Sequence, residues 1–232
     1  MANNYFRFKK FTINQSASAM KVGTDGVLLG AWAKFPNRGS YVLDVGTGTG
    51  LIALMIAQRY PDVKISAIEI DNSSCEQARE NFINSEWSDR ISIHENSFQD
   101  FHIQTKNKFD LIISNPPYFS NSLKNPDEAK SYARHQEKLT LEELFIGVSG
   151  TLNKRGMFSM ILPYDQKSKC QKLATDSGLF PQRILNVRPK PGHDFIRVLM
   201  EFSFTQNKNF EDELIIEMNK RHSYSEEYKV LT

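Results

Sequence analysis

Hydrophobic and polar positions change period repeatedly along the chain. From about residue 40 to about residue 204, short β-rich runs alternate with segments of helical length. That alternation predicts an α/β fold with a largely parallel sheet and helices on both faces. Tyr41 to Val45 is a β-rich run leading into glycines, and Leu51 to Tyr60 has helical length and stops before Pro61, giving a strand, a glycine turn and a helix. Val63 to Ile70 reads as a second strand. Ser73, with Glu76 three residues later, forms a capping-box pattern that starts a helix running to about Ser85. Arg90 to His94 is a third strand. Phe109 to Ser114 is nearly all apolar, as a central strand covered on both faces requires, and it ends at Asn115-Pro-Pro-Tyr118.

Asn121 to Glu137 is polar and contains Pro126, which predicts a mobile loop. Thr140 and Glu143 then cap another helix, Gly156 to Leu162 is a fifth strand, and Asp165 to Ser177 is helical until Gly178 stops it. Two further strands, Arg183 to Val187 and Phe195 to Phe204, are joined by Arg188 to Asp194, a connection too short for a crossover helix. They should therefore be antiparallel neighbours. Ahead of the sheet, Phe6, Phe8, Phe11 and Ile13 suggest a small hairpin, and Thr24-Asp25 caps a helix through Trp32. The charged stretch after Phe204 reads as a solvated surface helix. One domain results, with an N-terminal cap (1–34), a core (35–204) and a charged tail (205–232).

Composition narrows the class. With 232 residues, 40% hydrophobic and 24% charged, the chain is globular rather than disordered. Lys plus Arg is 29 against 27 for Asp plus Glu, a formal charge of +2 that gives no global field for a polyanion. A nucleic-acid partner would need a local basic patch. Cys75 and Cys170 form no Cys-x-x-Cys pair, and the histidines at 94, 102, 135, 193 and 222 lack ligand spacing, so neither a metal site nor a disulfide framework is expected. The N-terminus lacks the apolar region of a signal peptide, and the run Leu51 to Ala57 falls far short of the roughly 20 residues a membrane span needs. A cytoplasmic, soluble protein follows; a monomer is compatible with the sequence.

Asp44-Val-Gly46-Thr-Gly48-Thr-Gly50 lies between a strand and a helix, where glycines let a ligand approach the backbone. Glu69 ends the next strand 19 residues after Gly50, close to the offset at which an acid grips ribose hydroxyls. A nucleoside-containing cofactor is indicated. Because a dinucleotide would place its pyrophosphate over this turn, Asp44 favours the cationic S-adenosylmethionine over NAD. Asp71 is a loop acid or a helix cap. After the third strand the available residues are Ser97 and Phe98, with Asp100 read as a solvated loop acid.

Asn115-Pro116-Pro117-Tyr118 follows the fourth strand, at the end of the sheet where open α/β folds bind ligands. The Asn115 side-chain oxygen and the Pro116 carbonyl can accept both N–H bonds of an exocyclic amine and aim its lone pair at a methyl donor, while Tyr118 stacks on the flat substrate. The electrophilic sulfonium makes a general base unnecessary. These residues recognise a planar amine and do not choose among adenine in tRNA or DNA, guanine in rRNA, and a protein glutamine. A non-catalytic RNA-binding module retaining the pocket is the reading from another class.

These motifs resemble the class I S-adenosylmethionine-dependent methyltransferases, in the amino-methylating branch. Met20-Lys-Val-Gly-Thr-Asp-Gly-Val-Leu-Leu-Gly-Ala-Trp32, with Phe6, Phe8, Lys9, Phe11, Ile13 and Gln15 ahead of it and Ala133-Arg-His135 and Leu139-Thr-Leu141 after, is similar to the bacterial valine-tRNA adenine-N6 methyltransferases. That resemblance implies transfer (EC class 2.1.1) to the adenine 3′ of the anticodon in a valine tRNA. It also implies a seven-stranded Rossmann-like sheet whose last strand is antiparallel. Cofactor contacts are implied around Lys21, Thr24, Asp44, Gly46, Gly48, Glu69 and Asn115, with Ser97 and Phe98 standing where many relatives have an adenine-contacting acid. The target base would meet Asn115, Pro116, Pro117 and Tyr118. Candidate tRNA contacts are Arg134, Lys138, Arg155, Arg188, Lys190 and Arg197, with Arg188-Pro-Lys190 the best patch and Lys9-Lys10 a second.

Overall fold

The computed structural model describes residues 3–17, 21–35, 41–117, 139–218 and 222–232. Tyr118, Arg134, Lys138 and the loop expected over 121–137 lie outside them. The elements, in chain order, begin with a hairpin of β1 (Tyr5–Arg7) and β2 (Thr12–Asn14), then α1 (Thr24–Trp32), β3 (Tyr41–Val45), α2 (Leu51–Arg59), β4 (Lys64–Glu69), α3 (Asn72–Ile83), β5 (Ile91–Glu95) and α4 (Phe98–Gln104). They continue as β6 (Phe109–Ser114), α5 (Leu141–Thr151), β7 (Leu152–Pro163), α6 (Lys167–Asp176), β8 (Phe180–Arg188), β9 (Arg197–Ser203), β10 (Phe210–Ile215) and α7 (Glu226–Leu231).

The main sheet has the order β10-β8-β9-β7-β6-β3-β4-β5. From β5 to β7 all neighbours are parallel, while β9 runs antiparallel between β7 and β8. The expected antiparallel pairing of the strands on either side of residues 188–194 is thus present. The sheet, however, has eight strands rather than seven. The eighth is β10, parallel to β8, where the sequence suggested a solvated helix. Its acids reach cations across the chain: Glu211 pairs with Lys167, Glu213 with Arg188, and Glu217 just beyond it with Lys190.

Alternating strand residues divide the core into two layers. Val42, Ile65, Leu111 and Ile113 pack against α1, α2 and α3, whereas Leu43, Ile68, Ile112 and Phe158 pack against α4, α5 and α6. Several helix starts differ from expectation. The residue before α1 is Gly23, with no side-chain cap, so Thr24 is the first helical residue. Asp71 caps α3 by accepting from the Ser74 amide, and Ser73 donates to Asp71 instead of capping. Thr140 and Glu143 form the expected capping box on α5. Asp100 lies in the first turn of α4, not in a loop, and it receives the hydroxyl of Ser97, the N-cap.

The N-terminal segment is stitched onto α3. The Asn81 side chain accepts from Asn14 N and donates to Asn14 O and to Thr49 O, tying the hairpin to the glycine turn. Gln77 receives Ala17 N, and Gln15 receives Val22 N. No helix among the described residues is long and apolar enough to cross a membrane.

Candidate active site

Strands β3, β4, β6, β7 and β8 all end at one edge of the sheet, and β9 begins there. At that edge the turn after β3 is held down by β4, with Gly46 N and Thr47 N both donating to Ile68 O. Gly46, Gly48 and Gly50 have φ of 71°, 56° and 82°. A Cβ built on Gly46 or Gly48 would meet nothing within 4 Å, so both face open space. At Gly50 the same atom would lie 2.4 Å from Phe82 Cε1, so packing as well as φ demands glycine.

A cleft of about 470 Å³ lies over this turn, lined by Lys21, Thr24, Asp25, Gly46, Gly48 and Asn115 among others. Its walls also include Val22, within the Met20–Trp32 stretch, and Ile196 and Ile216, apolar residues for which the sequence carried no motif. A second cavity of about 420 Å³ adjoins it, lined by Pro116, Pro117, Leu139, Leu162, Pro163 and Lys169 among others. Asn115 therefore faces the first space and its two prolines the second. Ser114, just before them, is buried and donates to Val45 O, which locks the end of β6 to the end of β3.

The two acids behave differently from each other. Asp44 is fully buried beneath the turn. Its Oδ2 accepts the Thr47 hydroxyl at 2.6 Å, and its Oδ1 has no hydrogen-bond partner. Burial, reinforced by the charge of Glu69, pushes the carboxyl up to about 7 against the pull of the Thr47 hydroxyl and the Ala53 backbone amide. Glu69 sits at the end of β4 with its Oε2 accepting Gly48 N and its Oε1 accepting Ile70 N and Asp71 N, each at 2.9 Å.

Other expected site residues fall elsewhere. Ser97 caps α4, and Phe98 is buried in the core beside Gly147; like Asp44 and Glu69, neither is among the residues lining the cleft. Arg155 is near the start of β7, at the opposite end of the sheet from the cleft. Arg188 lies over the Phe195 ring at 4.0 Å and pairs with Glu213 at 2.8 Å, while Lys190 is 3.9 Å from Glu217. The patch over 188–190 is thus neutralised by the tail, whose acids a solvated helix would not have brought there. Arg197 is at the cleft, paired with Asp25. Lys9 and Lys10 are exposed at the hairpin turn.

The residues present fit S-adenosylmethionine. Gly46 and Gly48 leave a cradle without side chains, and an orphaned carboxylate oxygen lies beneath it to complement a cationic ligand. Glu69 offers the two oxygens a ribose diol requires. Fold and cleft together define a class I S-adenosylmethionine-dependent methyltransferase. The chain matches the methyltransferase small domain family over residues 17–162. Among solved structures it is similar to a predicted O-methyltransferase from Agrobacterium tumefaciens (TM-score 0.69, 20% identity, 90% of this chain and 95% of that one). It is also similar to the type I restriction-modification methyltransferase subunit from Streptococcus thermophilus (TM-score 0.64, 16% identity, 93% and 53%). Both likenesses concern the fold.

Curated relatives are more specific. The chain is 48% identical over 100% of its length, and 97% of the relative's, to the tRNA1(Val) (adenine(37)-N6)-methyltransferase of Bacteroides thetaiotaomicron. It is 43% identical, with the same coverage, to the protein of that name in Christiangramia forsetii. The chain belongs to the tRNA1(Val) (adenine(37)-N6)-methyltransferase family.

Proposed function

We propose that this protein transfers the methyl group of S-adenosylmethionine to N6 of adenine 37 in a valine tRNA. The observation that carries this reading is the placement of Asn115 on the cofactor cleft, with Pro116 and Pro117 on the adjoining cavity. A base seated in the second cavity presents its amine at the boundary between the two. Asn115 Oδ1 and Pro116 O accept its two N–H bonds, which holds the nitrogen lone pair toward the cleft. Pro117, Leu162 and Pro163 supply apolar surface for the rings, and Tyr118 adds a stacking face. S-adenosylmethionine supplies the electrophilic methyl when bound. No side chain has to act as a general base, since the nitrogen loses its proton after it carries the methyl.

Lys21, Thr24, Asp44, Gly46, Gly48 and Glu69 hold the cofactor in this reading. Glu69 exchanges its bonds to backbone amides for ribose hydroxyls. The tRNA is bound by few cations, Arg197 and Arg134 among them; Arg188 and Lys190 are paired with acids of the tail, whereas Arg197, though paired with Asp25, lines both the cleft and the second cavity. The protein works in the cytoplasm as a monomer, its cap, core and tail forming one catalytic unit. Incubation with labelled S-adenosylmethionine and total RNA, followed by nucleoside mass spectrometry, tests the reading. N6-methyladenosine in a valine tRNA is expected; label confined to protein or DNA would overturn it.

A further inference from the structure

The cofactor cleft and the second cavity have one described lining residue in common, Arg197. Its backbone is set by sheet pairing on both sides, opposite Pro163 of β7 and Val187 of β8, so its guanidinium emerges at the partition between the two spaces. A flexible five-donor head at such a point needs a fixed aim. Asp25 supplies it: Arg197 Nε donates to Asp25 Oδ2 at 2.8 Å, and Nη1 is held by Ile196 O at 2.9 Å. Both partners are partly shielded, with side-chain exposures of 30% and 23%. Asp25 itself sits in the first turn of α1, where the helix dipole favours a carboxylate.

We propose that Asp25 is a positioning residue for methyl transfer. It acts through Arg197, turning the guanidinium so that it grips a phosphate of the RNA nucleotide whose base enters the second cavity. The inference rests on the reading of that cavity as the target-nucleotide pocket. Engaging the Nε edge fixes the plane of the guanidinium, and a fixed plane is what bidentate recognition of a phosphodiester requires. A lysine at this position would keep the charge but not the fork. Asp25 also borders the cofactor cleft, so a direct cofactor role is the competing explanation that the experiment has to separate.

Steady-state kinetics make that separation, on Asp25→Asn, Asp25→Glu, Arg197→Ala and the double variant that combines Asp25→Asn with Arg197→Ala. Cofactor affinity and melting temperature are measured in parallel. Loss of a charge-assisted bond predicts a rise of roughly tenfold in the KM for tRNA of Asp25→Asn, with kcat, cofactor Kd and melting temperature little changed. Asp25→Glu, which keeps the ion pair, recovers most of the loss. In the Arg197→Ala background the Asp25→Asn change adds nothing further to the tRNA KM. If its effect persists there, or if cofactor affinity falls as far as tRNA affinity, the positioning role is overturned. Arg197→Ala leaving the tRNA KM unchanged would overturn the pocket reading as well, whereas an effect of Arg197→Ala without one of Asp25→Asn refutes the inference alone.

Discussion

Asp44→Asn should make the protein more stable at pH 8 while weakening its grip on S-adenosylmethionine. The carboxyl is raised from 3.8 to about 7. At ~1.4 kcal/mol per pH unit, ionised Asp44 costs the fold roughly 4 kcal/mol above pH 7. Because the folded value is the higher one, the stabilisation from the protonated acid is complete below about pH 4 and is lost as the pH rises through 7. Asparagine can still accept the Thr47 hydroxyl, but its N–H group replaces an oxygen that has no partner, at a cost of ~1–3 kcal/mol. A net gain of ~1–3 kcal/mol at pH 8 follows, and it should shrink by roughly 3 kcal/mol on going to pH 5. Urea unfolding of both proteins across this range measures the difference directly, and other carboxylates cancel in the comparison. By linkage, wild-type affinity for the cationic cofactor should climb up to about tenfold per pH unit below pH 7 and level off above it, a slope the variant lacks. A stability difference independent of pH would refute the assignment of the buried acid.

Three further outcomes are expected. Asn115→Ala should abolish turnover while leaving cofactor affinity nearly intact by calorimetry; loss of cofactor binding as well would remove Asn115 from its role at the amine. Asn81→Leu deletes three hydrogen bonds joining the hairpin, α3 and the glycine turn. It should cost ~2–4 kcal/mol in denaturant titrations and speed amide exchange in the N-terminal segment. Gly50→Ala combines a left-handed φ with a 2.4 Å approach to Phe82, for a loss of ~2–4 kcal/mol. Adding Phe82→Leu should recover the part due to the clash.

The centre of the fold is legible in the sequence because its signals are local. The strand, glycine turn and helix over 41–59, the all-apolar Phe109 to Ser114 and the short link over 188–194 each carry their own instruction. Asn115 falls at the cleft by the rule that ligands gather where parallel strands end. Phe210 to Ile215 reads wrongly as helix because Glu211, Asp212 and Glu213 in a row hide any alternation. It becomes a strand through partners far away in sequence, the edge of β8 and the cations Lys167 and Arg188. The same non-local pairing neutralises the patch that looks best for RNA. Phe98 shows a related limit, since an aromatic beside a ligand motif looks the same in sequence whether it faces the cleft or the core. Asp25 resembles a helix cap because its partner is Arg197, 172 residues away.

The insertion of β9 between β7 and β8 also bears on how the protein comes off the ribosome. The parallel portion from β3 to β7 can begin to collapse as soon as it emerges, but its outer edge stays uncovered until residues 197–203 arrive. Glu201 is buried in that strand and bonds to Lys34 N, Ser159 and Arg183, so the segment after α1 docks fully only when residues 197–203 are made. Contacts of such long sequence separation slow folding and leave a nascent intermediate with exposed apolar strands. The nascent chain thus acquires the wall between its two cavities late, and a ribosome stalled before β9 would display an incomplete enzyme in need of chaperones.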